Sequence, residues 1–143
     1  MSTQTENTKH IDRIIEEAWN NGNLEVIDEL VASAYELHVP NAPKEFRGPE
    51  GFKEFVQMYR TAFPDLTLSV EDRVVEGDKI ADRMVSRGTH EGELMSIEPT
   101  GKETEMMSMV IHHLEDGKVV ADDGLLDNLG LLQQLGVVEL PTE

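Results

Sequence analysis

Cysteine is absent from the 143-residue chain, which excludes disulfides and thiolate chemistry, nucleophilic or metal-binding. Positive charge is scarce: 12 Lys and Arg stand against 29 Asp and Glu, a formal net charge of −17 at pH 7. Such a surface repels nucleic-acid phosphate and anionic lipid, so neither nucleic acid nor membrane is expected as a partner. No apolar run is long enough to span a bilayer, and Met1 to Asn7 has neither the basic segment nor the apolar stretch of a secretory signal. A cytoplasmic location is the expectation. Phosphate-cradling glycine loops, nucleotide fingerprints, serine elbows, repeats and low-complexity segments are also missing.

What is present is an ordinary globular mixture, 38% apolar and 29% charged, at a length that suits a single core. One domain over residues 1–143 is expected, with 1–8 and 138–143 as tails. The acids are scattered through the chain. That distribution fits a surface adapted to a salt-rich cytosol, where counterions screen self-repulsion, and equally a merely acidic soluble protein.

Three helices lead. Ile11, Ile14, Ile15, Ala18 and Trp19 recur at helical spacing and stop at Asn21-Gly22-Asn23. Leu24, Ile27, Leu30 and Val31 mark a second helix, followed by a brief extended segment from Tyr35 to Val39. Gly48-Pro49 opens a third, with Phe52, Phe55, Val56, Tyr59 and Phe63 on one face and Pro64 as its stop. The period then changes to two. Leu66, Leu68 and Val70 alternate with polar residues, and Glu76-Gly77-Asp78 turns the chain into Ile80 to Gly88. After a long connection over 91–102 comes Thr104 to Leu114, apolar on both parities as if covered on two faces. Glu115-Asp116-Gly117 turns into Lys118 to Gly124, and the leucines from Leu125 to Leu135 predict a short helix stopping at Gly136. Helices packed on one face of an antiparallel meander define an α+β fold with a curved sheet. Its concave side would hold a pocket and its outer face a homodimer contact, around Met109 and Val85.

The turn after Leu114 decides which side chains share the pocket face, because a slip of one residue inverts all of them. A two-residue loop would set Asp122 opposite Ile111. A three-residue loop ending on a left-handed Gly117 would set it opposite Val110, and is preferred for its Asp-Gly chemistry. Ser108, Val110, His112, Val120, Asp122 and Gly124 then share one face. A carboxylate among apolar side chains has a raised pKa and can accept a proton near neutrality, with His112 diagonal to it as orienter or proton donor. The bland counterpart is a pair of solvated strand-end acids, Asp122 and Asp123. His112 and His113 are consecutive in a strand, so they face opposite ways and cannot chelate one metal. His38 lies where it could reach the pocket mouth, His90 is expected at an exposed strand end, and the methionines from Met84 to Met109 read as core or cavity filler.

Four stretches read together: Ala18-Trp19-Asn20-Asn21-Gly22-Asn23, Gly48-Pro49-Glu50-Gly51-Phe52, Arg87-Gly88-Thr89-His90-Glu91-Gly92-Glu93 and Leu129-Gly130-Leu131-Leu132-Gln133-Gln134-Leu135-Gly136. With Pro99-Thr100-Gly101-Lys102 and Asp116-Gly117-Lys118 between them, the chain resembles the SnoaL-like ester cyclases of the nuclear-transport-factor-2-like superfamily from about residue 9 to 137. The resemblance implies a cone-shaped curved antiparallel sheet with three N-terminal helices on its concave face. It also implies ring closure of an aromatic polyketide ester by an intramolecular aldol step, without metal or cofactor, begun by an aspartate on the last strand. That aspartate position falls on Gly124 here. A second family position, often His or Glu, falls on Asp122, and neighbouring His and Gln positions fall on Val110 and Ser108. His38 matches a family histidine bordering the pocket, and Asp127 matches an aspartate that would cap the last helix.

Two functions compete on this basis: a cofactor-independent cyclase or isomerase using Asp122, with His112 and His38, on an apolar or aromatic carbonyl compound, and a binding module that keeps the pocket without the chemistry. A purely structural dimer needs no pocket at all.

Overall fold

A computed structural model describes residues 3–139 and 141. The N-terminal apolar stripe folds as helix α1, Thr3–Arg13, which continues without a break as a π-helical segment, Ile14–Asn20. The wider winding shows in the bond from Asn21 N–H to the Glu16 carbonyl, five residues back. Residues 3–8, expected in a tail, are helical because two side chains of α1 find partners on strand turns. Buried Asn7 donates to Asp78 at 3.2 Å, and His10 Nδ1 lies 2.7 Å from the Gly117 carbonyl oxygen. At the other end 137–139 and 141 form no regular element, and residues 140, 142 and 143 of the expected C-terminal tail lie outside the described residues.

Helix α2, Glu25–Leu30, runs directly into strand β1, Val31–His38, so Val31 begins the strand and is not part of the helix. A two-residue strand, β2 (Phe46–Arg47), pairs with its end before helix α3, Gly48–Ala62. The long strands follow as β3 (Thr67–Glu76), β4 (Lys79–Thr89), β5 (Glu103–Glu115) and β6 (Lys118–Leu126), and helix α4 (Asn128–Gln134) closes the chain. Leu125 and Leu126, expected in the last helix, belong to β6; the helix starts only after Asp127, whose carboxylate accepts the Gly130 N–H at 2.9 Å as an N-cap.

The six strands form one curved sheet in the order β2-β1-β6-β5-β4-β3. Neighbours are antiparallel except β1 and β6, which run parallel. The fold is thus the expected nuclear-transport-factor-2-like α+β type. α1, the π segment and α3 press apolar side chains onto one sheet face: Ile11, Ile14, Ala18, Phe52 and Val56 meet Leu68, Ile80, Met84 and Leu114 in the main core. Asn20 fixes the π segment to the sheet by bonding both the N–H (2.6 Å) and the carbonyl (3.1 Å) of Leu68.

The opposite face is less covered than its composition led us to expect. β5 alternates cleanly, with Thr104, Met106, Ser108, His112 and Leu114 buried while Met107, Met109 and Ile111 are exposed. Val85, on the same parity as Met107, is itself buried. His90, expected to be exposed, is fully buried against the Phe63 ring at 5.6 Å, its Nδ1 accepting the Thr100 N–H, because the 91–102 connection folds back over it. That connection approaches α3 closely at Gly92, where a Cβ would stand 2.0 Å from the Thr61 carbonyl oxygen.

Candidate active site

Between the helices and the sheet lies a cavity of about 90 Å³, several times the room one water needs. Its walls are mostly apolar: Trp19, Phe55 and Tyr59 from the helices stack edge-on at 5.3–5.8 Å, and Leu37, Met84, Met106 and Val110 come from the strands. Asp122 is the one carboxylate among the lining residues.

The turn that sets this face is not the preferred three-residue loop but the two-residue alternative, followed by a bulge that neither reading contained. Asp116 and Gly117, both at positive φ (51° and 79°), make a two-residue loop with Glu115 paired to Lys118. Alone, that loop would send Asp122 outward. A bulge intervenes, since Leu114 pairs with Val119 whereas His113 pairs with Ala121, and one extra residue restores the parity. Asp122 therefore lies directly opposite His112, Gly124 opposite Val110, and Val119 instead of Val120 lines the cavity.

The two facing residues are hydrogen-bonded. His112 Nδ1 lies 2.7 Å from Asp122 Oδ1, and the Tyr35 hydroxyl donates to Asp122 Oδ2 at 2.8 Å. On the far side of the ring, His112 Nε2 lies 3.1 Å from Asp82 Oδ2. Arg73 grips Asp82 with Nε (2.6 Å) and Nη2 (3.0 Å) and reaches Asp12 of α1 with Nη1 (2.8 Å). Tyr35, Asp82, His112 and Asp122 are exposed by 1, 1, 8 and 6% respectively. Burial alone would lower the His112 pKa, but the charge and hydrogen bond of Asp122, joined by Asp82, outweigh it and push it up to about 9. Asp82 is held below the usual aspartate range: burial works against this, and the bonds from His112 and Arg73 prevail. Burial first, then the charge of Asp122, pushes the Tyr35 phenol well up, so Tyr35 remains a donor.

Of the three expected site residues, Asp122 and His112 are thus brought together at the cavity wall. His38 is on the other side of the sheet. Its register partner is Asp123, and it is half exposed between Asp123 Oδ1 (2.8 Å) and Glu36 Oε2 (3.0 Å), with His113 Nε2 on Asp123 Oδ2 at 2.8 Å. Asp123, then Glu36, raises the His38 pKa, and His38 and His113 in turn lower that of Asp123. Side chains alternate along β1, so Tyr35 and Leu37 line the cavity and His38, three residues from Tyr35, faces the other way.

Tyr35, Asp82 and Arg73 were missed from sequence. Asp82 carries a usable signal, an acid on the inward parity of a strand between Ile80 and Met84, and its cross-strand partner is Asp82's own cation, Arg73. Gly124, at the position the family resemblance assigns to the aspartate, leaves the wall bare: an added Cβ would sit 3.3 Å from Val110 Cγ2 and 3.5 Å from Val39 Cγ2. Among the described residues no group of three or more His, Asp or Glu is arranged to hold a metal ion, and no helix is long and apolar enough to cross a membrane.

A curved α+β sheet wrapped round one apolar cavity with a carboxylate in its wall defines a small-molecule pocket protein. The chain belongs to the SnoaL-like polyketide cyclase family, whose sequence model matches residues 9–135. It is 36% identical to IdmH of Streptomyces antibioticus, a proposed polyketide cyclase, over 92% of this chain and 99% of that one, with a TM-score of 0.78. A proposed polyketide cyclase from Bacillus cereus is 31% identical over 97% and 87% of the two chains (TM-score 0.80). AclR of Streptomyces galilaeus, a proposed hydroxylase, is 25% identical over 99% and 91% (TM-score 0.84). No functionally curated protein matches the sequence.

Proposed function

We propose that the protein is a cofactor-independent cyclase or isomerase that removes a proton next to the carbonyl of an apolar or aromatic ligand, with Asp122 as the base. The observation that carries this reading is a single buried carboxylate, aimed by two donors, in a wall otherwise suited to apolar rings. The ligand's C–H bond breaks and an O–H bond forms on Asp122, while the electron pair moves through the carbonyl to give an enolate. In ring closure the enolate carbon bonds to a second carbonyl carbon, and the oxygen there takes the proton back. No electrons are gained or lost. The buried members Asp122, His112 and Asp82 and the Arg73 guanidinium carry two negative and two positive charges, with Asp12 on the solvent side of Arg73, so the cavity wall suits a neutral ligand.

The test is deuterium exchange at the α-carbon of an activated aromatic β-keto ester in heavy water. Wild-type protein should exchange it faster than buffer. Saturable binding of the ester with no exchange would instead establish the binding module, a reading favoured by the fact that both Asp122 oxygens already accept hydrogen bonds.

The same reading includes a homodimer through the outer sheet face, where Met107, Met109, Ile111 and Leu125 form an uncovered apolar strip.

A further inference from the structure

Every polar atom of His112 is committed to another buried group, which leaves none to touch a ligand. Its two ring nitrogens face carboxylates on opposite sides, Asp122 of β6 and Asp82 of β4. A carboxylate can only accept, so each bond requires a proton on the nitrogen. The groups packed round the ring are all accounted for: Tyr35 of β1 bonds Asp122, Arg73 of β3 grips Asp82, and Asp12 of α1 holds Arg73 from outside.

We propose that Arg73 and Asp82 are positioning residues, which fix His112 as a doubly protonated imidazolium whose Nδ1–H holds the Asp122 carboxylate at the cavity wall. The inference rests on Asp122 being the base, and it extends that reading to two residues that never meet the ligand. Bidentate guanidinium contact keeps Asp82 ionised, and ionised Asp82 keeps the proton on Nε2 of His112. Because the chain ends on a guanidinium, which does not deprotonate in proteins, it cannot carry a proton to solvent. The proton that Asp122 takes from carbon therefore leaves by way of the cavity, to the product oxygen in ring closure or to solvent in the exchange reaction, and not through His112. Each Arg73 or Asp82 side chain is needed for orientation and charge, not for contact.

The experiment uses the full chain labelled with ¹⁵N-histidine, with His112→Gln to assign the signal. Long-range ¹H–¹⁵N spectra of wild-type protein at about pH 7.5 should show both His112 nitrogens protonated, against an ordinary histidine that is mostly neutral there. In Asp82→Asn the midpoint should fall by at least about one pH unit. Arg73→Gln should shift it in the same direction, and Arg73→Lys should restore most of it. In the exchange assay Asp82→Asn should lower kcat by ~10-fold or more with KM nearly unchanged, and move the pH profile with the His112 midpoint. A neutral His112 in wild-type protein at that pH overturns the proposal, and so does an Asp82→Asn variant whose His112 titrates as in wild type. The wild-type spectrum decides even if a variant fails to fold. A charged, clamped His112 in a protein that exchanges no ester would uphold the clamp and refute the base, so the two failures are told apart.

Discussion

At the residue scale the molecule turns on two adjacent aspartates that do different things. Asp122 is buried and bonded by Tyr35 and His112, whereas Asp123 sits half exposed between His38 and His113. The buried histidine also ties stability to pH. His112 is raised to about 9 in the folded protein from an ordinary 6.5, so between those values the folded state holds a proton that the unfolded chain releases. Its contribution is complete below about pH 6.5 and is lost as pH rises through about 9, on the order of 3 kcal/mol. Urea midpoints should fall between about pH 6 and pH 10, and His112→Gln should flatten that slope; a wild-type midpoint independent of pH over this range would contradict it. Asp82 acts with the opposite sign. Its depressed pKa adds stability at neutral pH that disappears as the medium is acidified below the usual aspartate range.

At the element scale, α4 is held by few contacts and each should be measurable. Asp127 caps its first turn, and Gln134 bonds both the N–H and the carbonyl of Glu105 at 2.7 Å. Asp127→Ala should cost about 1 kcal/mol by chemical denaturation, with no change in the far-UV signal of the sheet. The elements themselves were largely legible. Apolar spacing located α3 and the helix over Ile11–Trp19, alternation located β3, an apolar run located β5, and the turns at Gly77 and Gly117 located β4 and β6. What sequence could not show was the bulge after Val119, because no glycine or proline marks it and the Asp-Gly turn beside it is compatible with two loop lengths. The face of Asp122 was therefore reached from a register that the structure replaces, two changes of parity cancelling. The Arg73–Asp82–His112 chain was illegible for a related reason: its members lie on three strands, and only the observed pairing shows that they meet.

At the scale of the whole molecule, charge and exposed apolar surface make separate demands. With a net charge of −17, repulsion among carboxylates should weaken as salt screens them. If the acidity is an adaptation to salt, the melting temperature should rise steadily from dilute buffer to molar potassium chloride; a flat series leaves ordinary acidity. The strip of Met109 (56% exposed) and Leu125 (65%) calls for a partner surface. Sedimentation should give a dimer at micromolar concentration, reduced to monomer by Met109→Glu. A wild-type monomer in both low and high salt would count against the outer-face interface.

Of the two adjacent aspartates, the inward Asp122 is assigned the chemistry and Asp123 is not. Side-by-side exchange assays on Asp122→Asn and Asp123→Asn, with folding and ester binding verified for both, test this assignment most directly. Asp122→Asn should lose at least ~100-fold in α-proton exchange, the scale of a lost general base, while Asp123→Asn stays within about twofold of wild type. An Asp122→Asn variant that still exchanges the ester at the wild-type rate would contradict it.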